Sequence, residues 1–459
     1  MACRRPISVW DADKASLPIE LPFPGQPHPA IFRRMSAEKT ETVPTIDHKP
    51  HAAFFRQSGW LMMATIIAGI LSYGVHPLAK KISESEYSIF GTMLMVTACI
   101  PTMPLQMVFA QQTAGALATN RRRQLAGMIR LGWLWTFVLW AAAVLAVLVF
   151  QKQIAERWQL SSLPVLWVTL AVVLMNLWMP VFSGVLQGRQ DFFWLGWAAI
   201  VSGFGRIAVA AVIVLAFSGG ATGMMFGALG GLGAWAAIAI WRSRDLWMAK
   251  PEPFDGRGLF KQVAPLMLGF GACQFLFTTD TMYAKAFFSG DEMASYVAAG
   301  TLCRGLLWVV LPLAAVMFPK IVQASAKSEK SNLLGIVLLG TAVLAICGAT
   351  GVCIVGPFVV KLIYTPAYVE ATTRLLPWYA GAMIPLALAN VLVNDLMARA
   401  RYKVVPPIVL LAVAYGFTLP VMLGKFHSME VALQTLGAFN LLLLGICAWF
   451  SFGSPKSKT

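Results

Sequence analysis

Acidic residues are scarce in this sequence: 20 Asp and Glu stand against 36 Lys and Arg, and the four charged types together make up only 12% of 459 residues. A soluble fold could not cover its surface with so little charge when 58% of the chain is hydrophobic and the mean hydropathy is +0.69. Also missing is a G-x-x-x-x-G-K-[ST] phosphate loop, so no ATPase is built in. The seven cysteines, Cys3, Cys99, Cys273, Cys303, Cys347, Cys353 and Cys447, show no CxxC spacing and no external cluster. They read as buried free thiols, and neither a disulfide framework nor a metal site is expected.

What is present is a series of apolar runs of about 20 residues, each the length that crosses a hydrocarbon core of roughly 30 Å as a helix. The runs lack the alternation of barrel strands, so the expected fold is an all-α polytopic membrane protein. Twelve spans are expected, near 58–79, 87–111, 131–150, 164–186, 195–217, 219–241, 263–287, 296–318, 333–360, 375–397, 405–424 and 430–452. Gly219 and Gly220 barely separate the fifth from the sixth. Ahead of the spans, residues 1–56 are polar and rich in Pro and charge, which predicts a disordered cytoplasmic tail. Met35 offers a second start, on which reading 1–34 are a gene-model extension.

Assigning the loops alternately to two sides puts eighteen basic residues on one and seven on the other, the larger share including Arg121, Arg189, Arg242, Arg399 and Arg401. By the positive-inside rule both termini are expected in the cytoplasm, and the short external loops suit a bacterial inner membrane. The net charge of +16 therefore reflects topology, and no nucleic-acid partner is implied. The longest external loop, Gln151 to Leu163, is too short to fold as a domain, which argues against a glycosyltransferase or polymerase with an external catalytic loop.

The two halves echo one another in the same orientation. Ala79-Lys80 recurs as Ala284-Lys285, Tyr87 and Gly91-Thr92 as Tyr296 and Gly300-Thr301, and Leu186-Gln187-Gly188-Arg189 as Leu396-Met397-Ala398-Arg399. Two six-helix lobes follow, 57–242 and 263–452, joined by a cytoplasmic linker 243–262 and followed by a tail 453–459. In transporters built from such repeats, substrate binds between the repeats.

The order and spacing of several short motifs resemble Wzx-type polysaccharide flippases of the multidrug, oligosaccharidyl-lipid and polysaccharide exporter superfamily. They are Ser85-Glu86-Tyr87, Ser183-Gly184-Val185-Leu186-Gln187-Gly188, Thr279-Asp280, Tyr296-Val297-Ala298-Ala299-Gly300, Phe318-Pro319 and Tyr364-Thr365-Pro366-Ala367-Tyr368. The resemblance implies alternating access by two lobes that move a lipid-linked oligosaccharide to the outer leaflet for polysaccharide biosynthesis. Relatives are often driven by an ion gradient or membrane potential, and association with a polysaccharide polymerase or glycosyltransferases would fit. The alternatives are a multidrug or cation antiporter of the same superfamily and a non-transporting membrane scaffold.

Ionisable residues inside spans mark a pathway, a site or a buried pair. Arg206 lies mid-span with no acidic neighbour within a helical turn. It is a candidate pyrophosphate ligand, unless it bonds backbone carbonyls or snorkels. Arg304 and Asp280 lie about 10 to 12 Å deep on consecutive spans. Either they form a structural ion pair, or Arg304 binds phosphate while Asp280, with Thr278 and Thr279, holds a coupling sodium ion or proton; no other cofactor is expected. Lys285 and Arg374 are expected near the outer surface, where they snorkel or line the cavity mouth. The cluster Arg121, Arg122 and Arg123 either gathers anionic membrane lipids and cargo pyrophosphate or simply marks the cytoplasmic side.

Overall fold

The computed structural model describes residues 49–305, 333–364 and 367–453. Among these residues the structure is helical, and eleven helices are long and apolar enough to cross a membrane. The expected eighth span, 296–318, begins as a helix over 290–305; its remainder, with Phe318-Pro319 and the basic residues Lys320, Lys327 and Lys330, lies outside the described residues. So do most of the N-terminal tail, Thr365-Pro366 and the final tail from 454.

The N-terminal lobe opens with α1 (Lys49–Tyr73) and a 3-10 turn (His76–Lys81). The second span is two helices, α2 (Glu84–Ala98) and α3 (Thr102–Ala118), broken at Pro101, whose missing N–H and fixed φ interrupt the ladder. Next come α4 (Arg122–Arg157), α5 (Pro164–Gly188), α6 (Phe192–Phe217) and α7 (Gly220–Arg242). The fifth and sixth spans are thus distinct helices, parted by Ser218 in the left-handed region. At 36 residues, α4 is about 54 Å long, more than a bilayer core needs, so most of the expected outer loop is helix.

A short helix α8 (Arg244–Trp247) starts the linker, which ends earlier than expected because Asp255 caps α9 (Gly256–Lys285), accepting a hydrogen bond from the Gly258 N–H at 3.0 Å. After 290–305, taken as α10, the C-terminal lobe continues with α11 (Leu333–Ile363), α12 (Ala367–Ala398), α13 (Val405–Phe426) and α14 (Met429–Ala448). A π-helical turn, Trp449–Gly453, closes the described chain.

The bundle is apolar inside and out. Large side chains such as Ile70, Val149, Phe217, Ile354 and Phe417 are exposed on its flanks, where acyl chains take the place of water. Of nine tyrosines in the chain, Tyr87, Tyr296, Tyr364, Tyr368, Tyr379 and Tyr415 are fully buried, so the scarce phenols concentrate in the interior.

The turns divide between two ends. One end, here the basic face, carries the turns at 119–121, 189–191, 243–255 and 399–404; the other, here the latch face, carries those at 74–83, 158–163, 218–219, 286–289 and 427–428.

The ends of α5 and α12, repeat partners in the sequence, close with the same hydrogen bonds, a termination also found at the ends of α3 and α4. At the end of α5, Asp191 N–H donates to Leu186 O at 3.0 Å and Gln190 N–H to Gln187 O at 3.0 Å, with Gln190 left-handed. At the end of α12, Arg401 N–H donates to Leu396 O at 2.9 Å and Ala400 N–H to Met397 O at 3.0 Å, with Ala400 left-handed. This is the same Schellman termination in both lobes.

Candidate functional site

In the C-terminal lobe the two expected intramembrane charges meet. Asp280 on α9 is 0% exposed and Arg304 on α10 is 4% exposed. Arg304 Nη2 donates to Asp280 Oδ1 at 2.7 Å and to Oδ2 at 3.0 Å. Tyr296 OH donates to Asp280 Oδ2 at 2.9 Å, and Tyr379 OH makes a short hydrogen bond to the same oxygen. Arg304 also reaches Thr281 Oγ1 at 2.7 Å and Phe277 O at 3.2 Å, and its guanidinium stacks over the rings of Phe277 and Tyr379. Two buried opposite charges, each hydrogen-bonded beyond the pair itself, form the arrangement in which buried ions are tolerated. The geometry is therefore that of the structural ion pair, and Arg304 is engaged by the protein instead of facing a cargo phosphate.

Thr278 and Thr279 do not point at Asp280. Their hydroxyls donate to their own helix, at Gln274 O (2.9 Å) and Phe275 O (2.5 Å), the usual recourse of a hydroxyl in a span.

Lys285 departs from its expected outer-surface position. It ends α9 but is 0% exposed, and its Nζ donates to Ser88 Oγ of α2, across the lobe boundary, at 2.8 Å. The reason is that α9 runs to Lys285 and its end is packed under the turn at 286–289 and against the opposite lobe. Among the described residues no carboxylate lies within 4.0 Å of it, and its hydrogen-bond partner is a neutral hydroxyl; Glu86 and Asp291 act only from farther away.

Arg374 lies inside α12 instead of at its start, on the surface, paired with Glu430 at 2.8 Å with its side chain 76% exposed. Arg121, Arg122 and Arg123 stand exposed at the start of α4 on the basic face. Arg121 Nε bonds Thr119 Oγ1 at 2.7 Å and Arg123 approaches Glu252 of the linker at 3.7 Å.

Arg206 differs from all of these. It sits mid-way along α6, which lies close against α7: a Cβ on Gly227 would fall 2.6 Å from Arg206 O and from Ala210 Cβ. The glycine run of α7 thus admits the α6 backbone at the level of Arg206. Its Nε and Nη2 are buried and have no hydrogen-bond partner among the described residues. The guanidinium lies within electrostatic reach of His76 and Tyr87.

Those two residues belong to a polar chain that sequence reading passed over. Tyr87 OH bonds His76 Nδ1 at 2.9 Å and Tyr364 OH at 2.8 Å, tying α2 of one lobe to the end of α11 in the other. Tyr73 OH donates to Thr301 O, and Lys80 Nζ donates to Leu362 O at 2.6 Å. With Lys285–Ser88, these contacts latch the two lobes together at one end. A signal existed: Tyr87 and Tyr296 are repeat partners, and each proves to be the phenol at the centre of its lobe's buried polar cluster. No short motif, however, singles out His76 or Tyr379.

Two lobes of membrane-spanning helices thus meet at the latch face. The sequence model of the family described as Lipid II flippase MurJ matches residues 87–450, and the chain belongs to that family. The Wzx-type likeness of the motifs is not confirmed at the level of the family. Among solved structures, the chain is similar to an inward-facing multidrug resistance MATE family transporter of the MOP superfamily (TM-score 0.65, 10% identity, covering 84% of this chain and 97% of that one). It is also similar to the lipid II flippase MurJ in an inward closed conformation (TM-score 0.62, 15% identity, 86% and 87% covered). A third is the Vibrio cholerae MATE transporter VcmN in its bent form (TM-score 0.57, 12% identity, 86% and 96% covered). No curated protein matches the sequence.

Proposed function

We propose that this protein is a flippase for a polyprenyl-phosphate-linked saccharide in a bacterial inner membrane, with both termini cytoplasmic, and that Arg206 receives the phosphate end of the cargo. The observation that carries this reading is the state of its guanidinium: Nε and Nη2 are buried and unpartnered. Two buried guanidinium nitrogens without acceptors are costly, and a phosphate with its charge-assisted, bidentate acceptors offsets that cost. Lys285, with a single hydroxyl partner, adds a second positive charge near the lobe boundary.

The carboxylates that a cationic drug would require are already taken. Asp280 is held by Arg304, Tyr296 and Tyr379, and Asp395 by Arg399 at 2.8 Å. The interior therefore favours an anionic cargo over the antiporter alternative. Lipid II, the cargo named for the family, is itself a lipid-linked saccharide.

Mechanistically, the lobes rock apart at the latch face by breaking Tyr87–Tyr364, Tyr73–Thr301, Lys80–Leu362 and Lys285–Ser88, hydrogen bonds that contribute about 0.5 to 1.5 kcal/mol each between neutral groups and about 1.5 to 3 kcal/mol where a lysine donates. Arg206, beside Tyr87 and His76, then senses both cargo and latch. Sodium or proton coupling, if Asp280 takes part, requires the Arg304 pair to open first.

The test is Arg206→Ala in cells that depend on the protein, with flipped lipid-linked saccharide and membrane abundance both measured. Loss of flipping at normal abundance is expected. Unchanged flipping removes Arg206 from the site, and retained flipping with altered efflux of cationic drugs favours the antiporter.

A further inference from the structure

The Schellman ends shared by α5 and α12 each present an arginine at the basic face, and each arginine lines a cavity. In the C-terminal lobe the cavity is about 360 Å³, lined by Arg399, Arg401, Asp395, Ser451, Leu334 and Phe452. Arg399 is anchored through Nε to the buried Asp395 Oδ1 at 2.8 Å. Arg401 is anchored through Nη1 to Phe450 O at 3.1 Å and Ser451 O at 3.5 Å, carbonyls of the π-helical turn. Each guanidinium is thus held by one of its nitrogens, while its others are left to meet a ligand. Ser451 Oγ is buried and has no hydrogen-bond partner among the described residues.

In the N-terminal lobe the repeat partner Arg189 lines a cavity of about 220 Å³ with Arg242, Arg244, Asp245 and Trp241. Arg189 Nη1 is anchored to Asp245 Oδ1 at 2.7 Å, Arg242 Nη2 to Asp191 Oδ2 at 3.2 Å, and Arg242 Nε is buried without a partner. Arginines outnumber carboxylates on both cavity walls.

We propose that these cavities are a pair of phosphate-binding sites, one per lobe, that hold the anionic headgroup of a membrane phospholipid. Guanidinium forks anchored through one nitrogen and open at the others match phosphate oxygens, which accept and do not donate. The apolar part of the ligand is accommodated too: Phe452 and Trp241 flank the cavities, and α11 next to Leu334 turns Ile336 and Leu339 outward, where acyl chains run. The height also fits, because both sites lie where spans end and headgroup phosphates begin. These sites are separate from Arg206 and do not depend on its role.

The experiment uses the full chain in detergent with mixed micelles of phosphatidylglycerol, and counts retained lipids by native mass spectrometry. Two tightly retained phosphatidylglycerol molecules are expected. Arg401→Gln and Arg244→Gln, which leave the Arg399–Asp395 and Arg189–Asp245 pairs in place, should each remove one, lowering that site's affinity about tenfold or more. Arg401→Lys, which keeps the charge but not the fork, serves as the second variant should Arg401→Gln elute as an aggregate, and should also weaken retention. Retention unchanged in all these variants overturns the proposal. Equal retention of phosphatidylcholine also overturns it, and displacement of the lipid by millimolar inorganic phosphate reassigns the sites to a soluble phosphate.

Discussion

Arg206 and Arg304 are the same residue type at comparable depth in opposite lobes, and their surroundings could hardly differ more. Around Arg304, three helices contribute a carboxylate, phenols, a hydroxyl and a carbonyl, and every charge is matched. Around Arg206 the helices are brought close by glycine, and the buried nitrogens Nε and Nη2 meet no acceptor. The contrast teaches that an intramembrane charge is informative through what it lacks. A matched pair stabilises its lobe, while an unmatched cation is held ready for something that arrives.

The comparison can be broken most forcefully at Asp280. Asp280→Ala leaves Arg304 buried and alone, and should lower stability by about 3 to 5 kcal/mol, read as a drop in the unfolding midpoint of the purified protein. An unchanged midpoint would mean that the C-terminal cluster is not structural. Arg206→Met sharpens the contrast from the other side: removing an unpaired buried cation in favour of an apolar side chain should leave stability unchanged or raise it by roughly 1 kcal/mol. If Arg206→Met destabilises as much as Asp280→Ala, the two arginines are alike after all.

A smaller effect is expected at the latch. Tyr364→Phe removes the hydroxyl that Tyr87 meets and should cost about 1 kcal/mol of lobe closure. A cysteine placed by Ser85→Cys, opposite Gly290, should then react several times faster with a polar thiol reagent; an unaltered rate would show that the tyrosine chain does not hold the lobes. The smallest effect is that of Arg374→Ala, which breaks an exposed pair with Glu430 and should change stability by less than about 1 kcal/mol, with flipping intact.

Much of this was legible beforehand. The spans followed from their apolar runs, the separation of α6 from α7 from two glycines, and the lobe repeat from residues as modest as Leu186 to Arg189 and Leu396 to Arg399. The proximity of Asp280 and Arg304 was accessible from depth along consecutive helices. Lys285 was misplaced because a lysine at a helix end ordinarily reaches water, and only the opposing lobe, bringing Ser88 to its ammonium, makes burial tolerable. The span expected from 375 begins at Ala367, eight residues earlier, because the polar stretch ahead of Arg374 carries no apolar run and yet is helical.

By itself, then, the chain's order of apolar and polar residues determined that it spans a membrane many times in two related halves, since hydrocarbon admits little besides self-satisfied helices. Which arginine is quenched and which is left open was decided only in three dimensions. Hydrogen bonds are settled within a few ångströms, among side chains that the sequence places up to hundreds of positions apart.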